Sequence, residues 1–296
     1  REARLCRLVP SQGSALNSLK TLSGKLKIRR ILLDSEAIPL SLAEKLESAL
    51  RGVRVIRAPG YLKEMRIVKE KKEIVLLKKS ARIAISAFRK LLPSVRAGVT
   101  ERELAAKLEF LMKMGGAEKS AFDVIVASGR NGAFPHAKPT SKKLKRGELV
   151  TFDFGAYCEG YVSDVTRTVA IGEPKEKLKE IYEVTRRAQE LGVARARAGL
   201  TGRELDRVCR SYIEKRGYGK YFLHGTGHGL GMEVNELPIV SSSYAKRFPV
   251  GAVITCEPGI YIEGLGGVRI EDTLVLGKKG NINLSWDLNK NLTILP

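Results

Sequence analysis

Apolar residues recur at helical spacing in "KKEIVLLKKSARIAISAFRKLL", where Ile74, Leu77, Ala81, Ala84, Phe88 and Leu91 fall on one face and predict a long amphipathic helix. A second such stretch carries Leu178, Ile181, Val184, Ala188 and Leu191. Each is followed by a shorter helical segment of nearly the same wording, "RAGVTERELAAKLEFLMKMGG" from Arg96 and "RAGLTGRELDRVCRSYIEKRG" from Arg197. Thr100 and Thr201 stand as N-caps, and Glu103 and Glu204 complete a capping box in each copy. Leu104, Leu108 and Leu111 form the apolar side of one helix; Leu205, Val208 and Tyr212 form that of the other.

The likeness continues where the period shortens to that of strands. "RGELVTFDFGAY" (Arg146 to Tyr157) parallels "PVGAVITCEPGIY" (Pro249 to Tyr261), each a glycine leading into an alternating strand. Aligning the glycines sets Asp153 against Glu257. Further on, "GYVSDVTRTV" and "GGVRIEDTLV" set Asp164 against Glu271, each followed two residues later by a threonine. A two-fold arrangement of the halves brings these four carboxylates to one centre, where they cannot all ionise unless something cationic sits among them. The pattern predicts a metal.

Histidine is scarce, three in all, and each lies among glycines or prolines. His224 and His228 fall in "FLHGTGHGLGMEVNELP", too rich in glycine for a helix when each costs about 1 kcal/mol relative to alanine. The segment reads as a loop entering a strand, with His228 a candidate fifth ligand and His224 free to act beside the metal. His136, in the turn-rich "NGAFPHAKP", is placed at the same cavity. No serine or cysteine has a triad-like setting, and strand alternation turns Cys256 away from the face that carries Glu257.

Ahead of the duplicated region, "KIRRILLD" and "GVRVIRAP" read as strands with the helix "IPLSLAEKLESAL" between them, giving a short α/β unit over 1–61 before the larger domain of 62–296. Cys6, Cys158, Cys209 and Cys256 have no CxxC spacing, which argues against a zinc ribbon or a disulfide framework and for reduced, cytoplasmic thiols. The chain has no long apolar run and no signal-peptide pattern, so neither a membrane span nor export is expected. Its net charge of +21 raises the question of nucleic acid, yet the basic residues are spread over helix faces and loops without interleaved aromatics.

The order Asp153, Asp164, His228, Glu257, Glu271, carried in "DFGAYCEGYVSD", "HGTGHGLG", "CEPGIY" and "RIEDT", resembles the pita-bread metallopeptidases of the Xaa-Pro branch, the prolidases and aminopeptidases P. The likeness runs from about Leu62 to the C-terminus. It implies an α+β pita-bread (creatinase/aminopeptidase) fold with internal pseudo-two-fold duplication, preceded by a shortened N-terminal domain, and a homodimer. It implies two divalent ions, Mn²⁺ or Co²⁺ first and Zn²⁺ or Fe²⁺ next, bridged by Asp164 and Glu271, with Asp153 on one and His228 and Glu257 on the other. The activity implied is removal of an N-terminal residue preceding proline, or splitting of Xaa-Pro dipeptides. In it Glu257 carries the proton from water to the leaving nitrogen, and His224 and His136 meet the substrate carbonyl and the transition state. Asn235, Tyr261 and Arg269 match positions near substrate and metals; Arg269 pairs with an acidic ligand. Asn235 departs from the family, which has histidine there, and bears on turnover and on the preference for proline. A basic pita-bread module that binds RNA or ribosomes, and a hydrolase of another amide, stay open as alternatives.

Overall fold

The computed structural model describes residues 13–296, so Cys6 lies outside the described residues. The chain divides into two compact units, Arg1–Met65 and Arg66–Pro296.

In the first unit, helix α1 (Ala15–Lys25) starts at Ser14, whose hydroxyl accepts the Asn17 N–H. Strands β1 (Arg30–Leu33) and β2 (Arg54–Arg57) pair in parallel, with α2 (Leu40–Ala49) between them in sequence and α3 (Tyr61–Met65) after them. Its buried apolar residues are Leu33, Ala43 and Leu50.

The second unit opens with α4 (Lys71–Leu91) and α5 (Glu101–Met114). The strands of the first half follow: β3 (Lys119–Ser120), β4 (Ile125–Ser128), β5 (Leu149–Phe154), β6 (Ala156–Cys158), β7 (Tyr161–Val162) and β8 (Val165–Ile171). Helices α6 (Glu176–Arg195) and α7 (Gly202–Lys215) begin the second half. Its strands are β9 (Gly227–Gly229), β10 (Glu236–Val240), β11 (Val253–Cys256), β12 (Gly259–Ile262), β13 (Gly266–Arg269), β14 (Asp272–Leu276) and β15 (Asn281–Asn283), with β16 (Ile294–Leu295) last.

One sheet has the order β16-β8-β5-β4 and another β10-β9-β11-β14-β15. The central antiparallel pairs, β5 with β8 and β11 with β14, correspond between the halves. Each encloses a smaller hairpin pair in sequence, β6 with β7 and β12 with β13.

The helix starts repeat in detail. Thr100 accepts the Glu103 N–H at 3.1 Å while its own N–H donates to the Glu103 carboxylate at 2.7 Å, and Thr201 and Glu204 give the same two distances. Gly98 and Gly199, just before these caps, share a φ of 88°, a left-handed conformation that glycine adopts without strain. Most of each predicted apolar face is buried, Leu77, Ala81, Ala84, Phe88 and Leu91 on α4 and Leu178, Ile181, Val184 and Ala188 on α6, while Ile74 and Leu191 are half-buried. Phe88 stacks on Phe154 with ring centroids 5.0 Å apart and meets Phe152 edge-on at 5.4 Å, fixing α4 against β5.

In one respect the strands differ from expectation. β5 does not alternate: five of its six residues are buried and Asp153 alone keeps partial exposure. Both of its faces are covered, since Val150, Phe152 and Phe154 belong to one core cluster and Leu149 to another.

Candidate metal centre

The paired strands place the acids in matching positions. Asp153 lies near the end of β5, and Asp164 immediately precedes β8, its antiparallel neighbour. Glu257 follows directly on β11 and Glu271 immediately precedes β14, again antiparallel neighbours. Each half therefore delivers two carboxylates from one end of one strand pair. His228 comes from β9, on the other side of β11. The glycines beside it are required by close packing: a Cβ on Gly227 would stand 2.2 Å from the Thr255 carbonyl oxygen, and one on Gly229 would stand 2.3 Å from that of Leu237. β9 is squeezed between two neighbouring strands, and only the histidine side chain has room.

Ligand atoms of Asp164, His228 and Glu271 all lie within 4.8 Å of one another. The His228 Nδ1 sits 3.0 Å from the Gly229 carbonyl oxygen, to which it donates, so Nε2 faces the acids. It lies 3.2 Å from Glu257 Oε1 and 3.6 Å from Asp164 Oδ2. Asp153 Oδ2 accepts from Arg269 at 2.5 Å, and the same guanidinium donates to Tyr261 at 2.8 Å and to the Pro135 carbonyl at 3.2 Å. Arg269 also comes within 4.0 Å of Glu257 Oε2. The pairing of Arg269 with an acid of the set is thus present, and the acid is Asp153.

Two atoms test whether a cation fits. Asp153 Oδ1 and Glu271 Oε1 are buried and find no hydrogen-bond donor among the described residues. An unsatisfied buried carboxylate oxygen costs about 1–3 kcal/mol or more. Burial, then the charges of Glu271, Asp153 and Glu257, push the Asp164 carboxyl well above the usual carboxylate range. Glu271 is pushed the same way by burial, Glu257 and Asp153. Burial acts against a charged His228, yet its hydrogen bond to Glu257 and that residue's charge outweigh this and raise its pKa to about 9. Glu257 is held low in return: burial would raise it, but the His228 bond and charge, then His224 and Arg269, prevail. Without a metal the site needs protons to offset its charge, and a divalent cation supplies what those protons do. The donor set, carboxylate oxygens with one imidazole nitrogen, suits a hard or borderline divalent ion.

A cavity of about 600 Å³ opens over this cluster, and its wall includes Asp153, Asp164, His228, Glu257 and Arg269. His136, His224 and Asn235 line it too, with an apolar stretch from Phe122, Val124, Ile125 and Val234. Glu271, 1% exposed, lies beneath the wall rather than in it. Tyr261 also stands behind: its hydroxyl joins Arg269 to His224 Nε2, 2.9 Å away. His224 Nδ1 lies 2.7 Å from the Gly225 carbonyl, to which it donates, so the neutral ring accepts the Tyr261 proton at Nε2. Burial keeps that ring neutral by lowering its pKa. His136, by contrast, is exposed at the cavity. Cys256 is fully buried and faces Gly192 and Cys209, away from the acids.

Sequence reasoning passed over the hydroxyls that steer the acids. Thr166 donates to Glu271 Oε2 at 2.8 Å and Thr255 to Glu257 Oε1 at 3.0 Å. The repeat of a threonine two residues after Asp164 and Glu271 was the available signal. Glu236 went unremarked as well: it is buried, bonded to Lys69 at 2.9 Å and paired with Arg66, and it accepts the N–H groups of Met232 and Glu233. That fixes the turn from which Asn235 reaches the cavity.

Residues 75–278 match metallopeptidase family M24. The chain is 48% identical over 260 residues to the Xaa-Pro dipeptidase of Pyrococcus furiosus, covering 86% of this chain and 75% of that one. Among solved structures, an Xaa-Pro dipeptidase from Bacillus anthracis superposes with a TM-score of 0.94 at 41% identity, covering 97% of this chain and 80% of the other. An X-Pro aminopeptidase from Thermotoga maritima gives 0.92 at 41% identity, with coverage of 98% and 82%. On its duplicated fold, its cluster of acids and histidine and these likenesses together, the chain belongs to metallopeptidase family M24, in the pita-bread branch of the Xaa-Pro enzymes.

Proposed function

We propose that the protein is an exopeptidase that cuts the bond between an N-terminal residue and proline, as an Xaa-Pro dipeptidase or aminopeptidase. The observation that carries this is the pair of orphaned oxygens on Asp153 and Glu271, set among Asp164, His228 and Glu257 at the base of a cavity lined by two further histidines. The relatives named above as Xaa-Pro dipeptidase and X-Pro aminopeptidase support the choice of substrate.

In this reading Asp153, Asp164, His228, Glu257 and Glu271 hold two divalent ions, Mn²⁺ or Co²⁺ before Zn²⁺ or Fe²⁺. Bound there, such ions acidify water and polarise a carbonyl oxygen. The residues do the rest. Glu257, whose Oε1 already accepts from Thr255, takes a proton from water and passes it to the leaving imide nitrogen. His224 stands beside the substrate carbonyl, its ring turned by the Gly225 carbonyl and by Tyr261, which Arg269 holds in turn. His136 and Asn235 approach the substrate from the exposed rim. The apolar wall of Phe122, Val124, Ile125 and Val234 takes the proline ring. A homodimer and a cytoplasmic setting complete the proposal; three free, buried cysteines, Cys158, Cys209 and Cys256, accord with the latter.

The test is hydrolysis of Xaa-Pro dipeptides and Xaa-Pro-led tripeptides by purified protein loaded with Mn²⁺ or Co²⁺. Metal-dependent release of the first residue is expected. A folded, metal-loaded protein that cuts neither overturns the reading.

A further inference from the structure

Both loops that bring a histidine to the cavity wall are tied down by a buried acid of a neighbouring helix. His224 sits in the segment between α7 and β9. From α7, Asp206, 1% exposed, accepts the Thr226 N–H at 3.0 Å and its hydroxyl at 2.9 Å. Arg210, one turn further along α7, grips Asp206 with two bonds of 2.8 and 3.1 Å. It then donates to the Phe222 carbonyl at 3.2 Å and to the His224 carbonyl at 2.7 Å. Its guanidinium also lies 4.2 Å from the centre of the Phe222 ring, which meets the His224 imidazole edge-on at 5.3 Å. Two side chains of one helix thus fix the backbone before, at and after His224, and set the ring beside it.

The first half does the same with other residues. Glu101 of α5, fully buried, accepts from the Ser128 N–H and hydroxyl, the Asn131 amide, and the Thr140 N–H and hydroxyl, at 2.6 to 3.2 Å. These donors lie on both sides of His136. In the repeat that aligns Arg96 with Arg197, however, Glu101 falls opposite Gly202 and Asp206 opposite Ala105. The two acids are not equivalent, so neither is a relic of the duplication; the same device stands at two different positions, each time behind a loop that carries a histidine. A buried carboxylate is costly unless its geometry is excellent, and these two spend theirs on the two loops.

We infer that Asp206 and Arg210 are positioning residues that set the His224 imidazole against the substrate, with Glu101 performing the corresponding service for His136. The inference rests on the function proposed above for its choice of substrate only. The guanidinium fixes where the ring stands; Tyr261 and Gly225 fix which way it turns.

The experiment is a double-mutant cycle. Arg210→Met and Arg210→Lys are made in the wild type and in His224→Ala, with metal content and melting temperature followed throughout. In the wild type, Arg210→Met lowers kcat about tenfold or more and changes KM less than about threefold, whereas Arg210→Lys restores part of the loss. In the His224→Ala background Arg210→Met costs less than about twofold, because the group it positions is gone. Equal losses in both backgrounds, or a loss that follows metal content, overturn the inference. A readout independent of turnover uses the scarcity of histidine: with three in the chain, imidazole ¹⁵N signals are readily assigned. Arg210→Met is expected to move those of His224 and leave those of His228. Unmoved His224 signals overturn the inference even where Xaa-Pro cleavage is confirmed, and moved signals sustain it even where the substrate proves to be another peptide.

Discussion

The Thr166 hydroxyl, from the first half of the duplicated unit, donates to Glu271 Oε2 of the second half at 2.8 Å. The converse also holds, for Thr273 donates to the Asp164 carbonyl at 2.9 Å. Each threonine bonds a residue of the opposite half, Thr166 at the carboxylate and Thr273 at the main chain. Thr166→Val removes the only donor to the Glu271 carboxylate among the described residues and leaves both of its oxygens bare. Metal affinity is expected to fall about tenfold or more, with Thr166→Ser close to wild type, as measured by titration of chelator-stripped protein.

Metal binding should depend on pH in a definite direction. In the metal-free protein His228 is raised from 6.5 to about 9. Its contribution to stability is then fully present below pH 6.5 and is lost as pH rises through about 9. Asp164 and Glu271 are raised as well, so their contributions too fade with rising pH. The chelated protein should melt at a lower temperature at pH 9 than at pH 7. A bound metal requires these groups deprotonated, so affinity should increase over the same interval with release of protons. Calorimetry in two buffers of different ionisation enthalpy checks the release.

Arg269 is 3% exposed and serves Asp153, Tyr261 and the Pro135 carbonyl at once. Arg269→Met leaves Asp153 without its cation and should destabilise the metal-free protein by about 3–5 kcal/mol. Arg269→Lys should recover only a part, since a single ammonium cannot span three partners in the planar fork that arginine provides. Denaturant melts of the chelated proteins measure both.

Gly227→Ala places a methyl group 2.2 Å from the Thr255 carbonyl oxygen, and the backbone must move to accept it. Because His228 is the next residue, the expected result is loss of metal binding with a smaller loss of overall fold. Metal content against far-UV circular dichroism separates the two.

Much of this was legible in the sequence. The capping boxes at Thr100 and Thr201 and the apolar faces of α4 and α6 depend on local spacing, which a chain displays directly. The acids were legible because duplication wrote them twice. The bond from the Thr166 hydroxyl to the Glu271 carboxylate was not, because it depends on how the two halves dock. Asp206 and Glu101 were hidden for another reason: an acid within a helical pattern reads as a solvated position, and only the fold brings loops over α5 and α7 to bury it. β5 misled through its neighbours, since a strand covered on both faces has no reason to alternate.

The bonds from Thr166 to Glu271 and from Arg269 to Asp153 make each half the custodian of the other's charge. A chain cut in the turn between β8 and α6 would yield two pieces, each with two carboxylates and neither with all of their partners, since Glu271 would lose Thr166 and Asp153 would lose Arg269. Such fragments would have to find one another before either gained a competent cage, and cation uptake would then report their reunion.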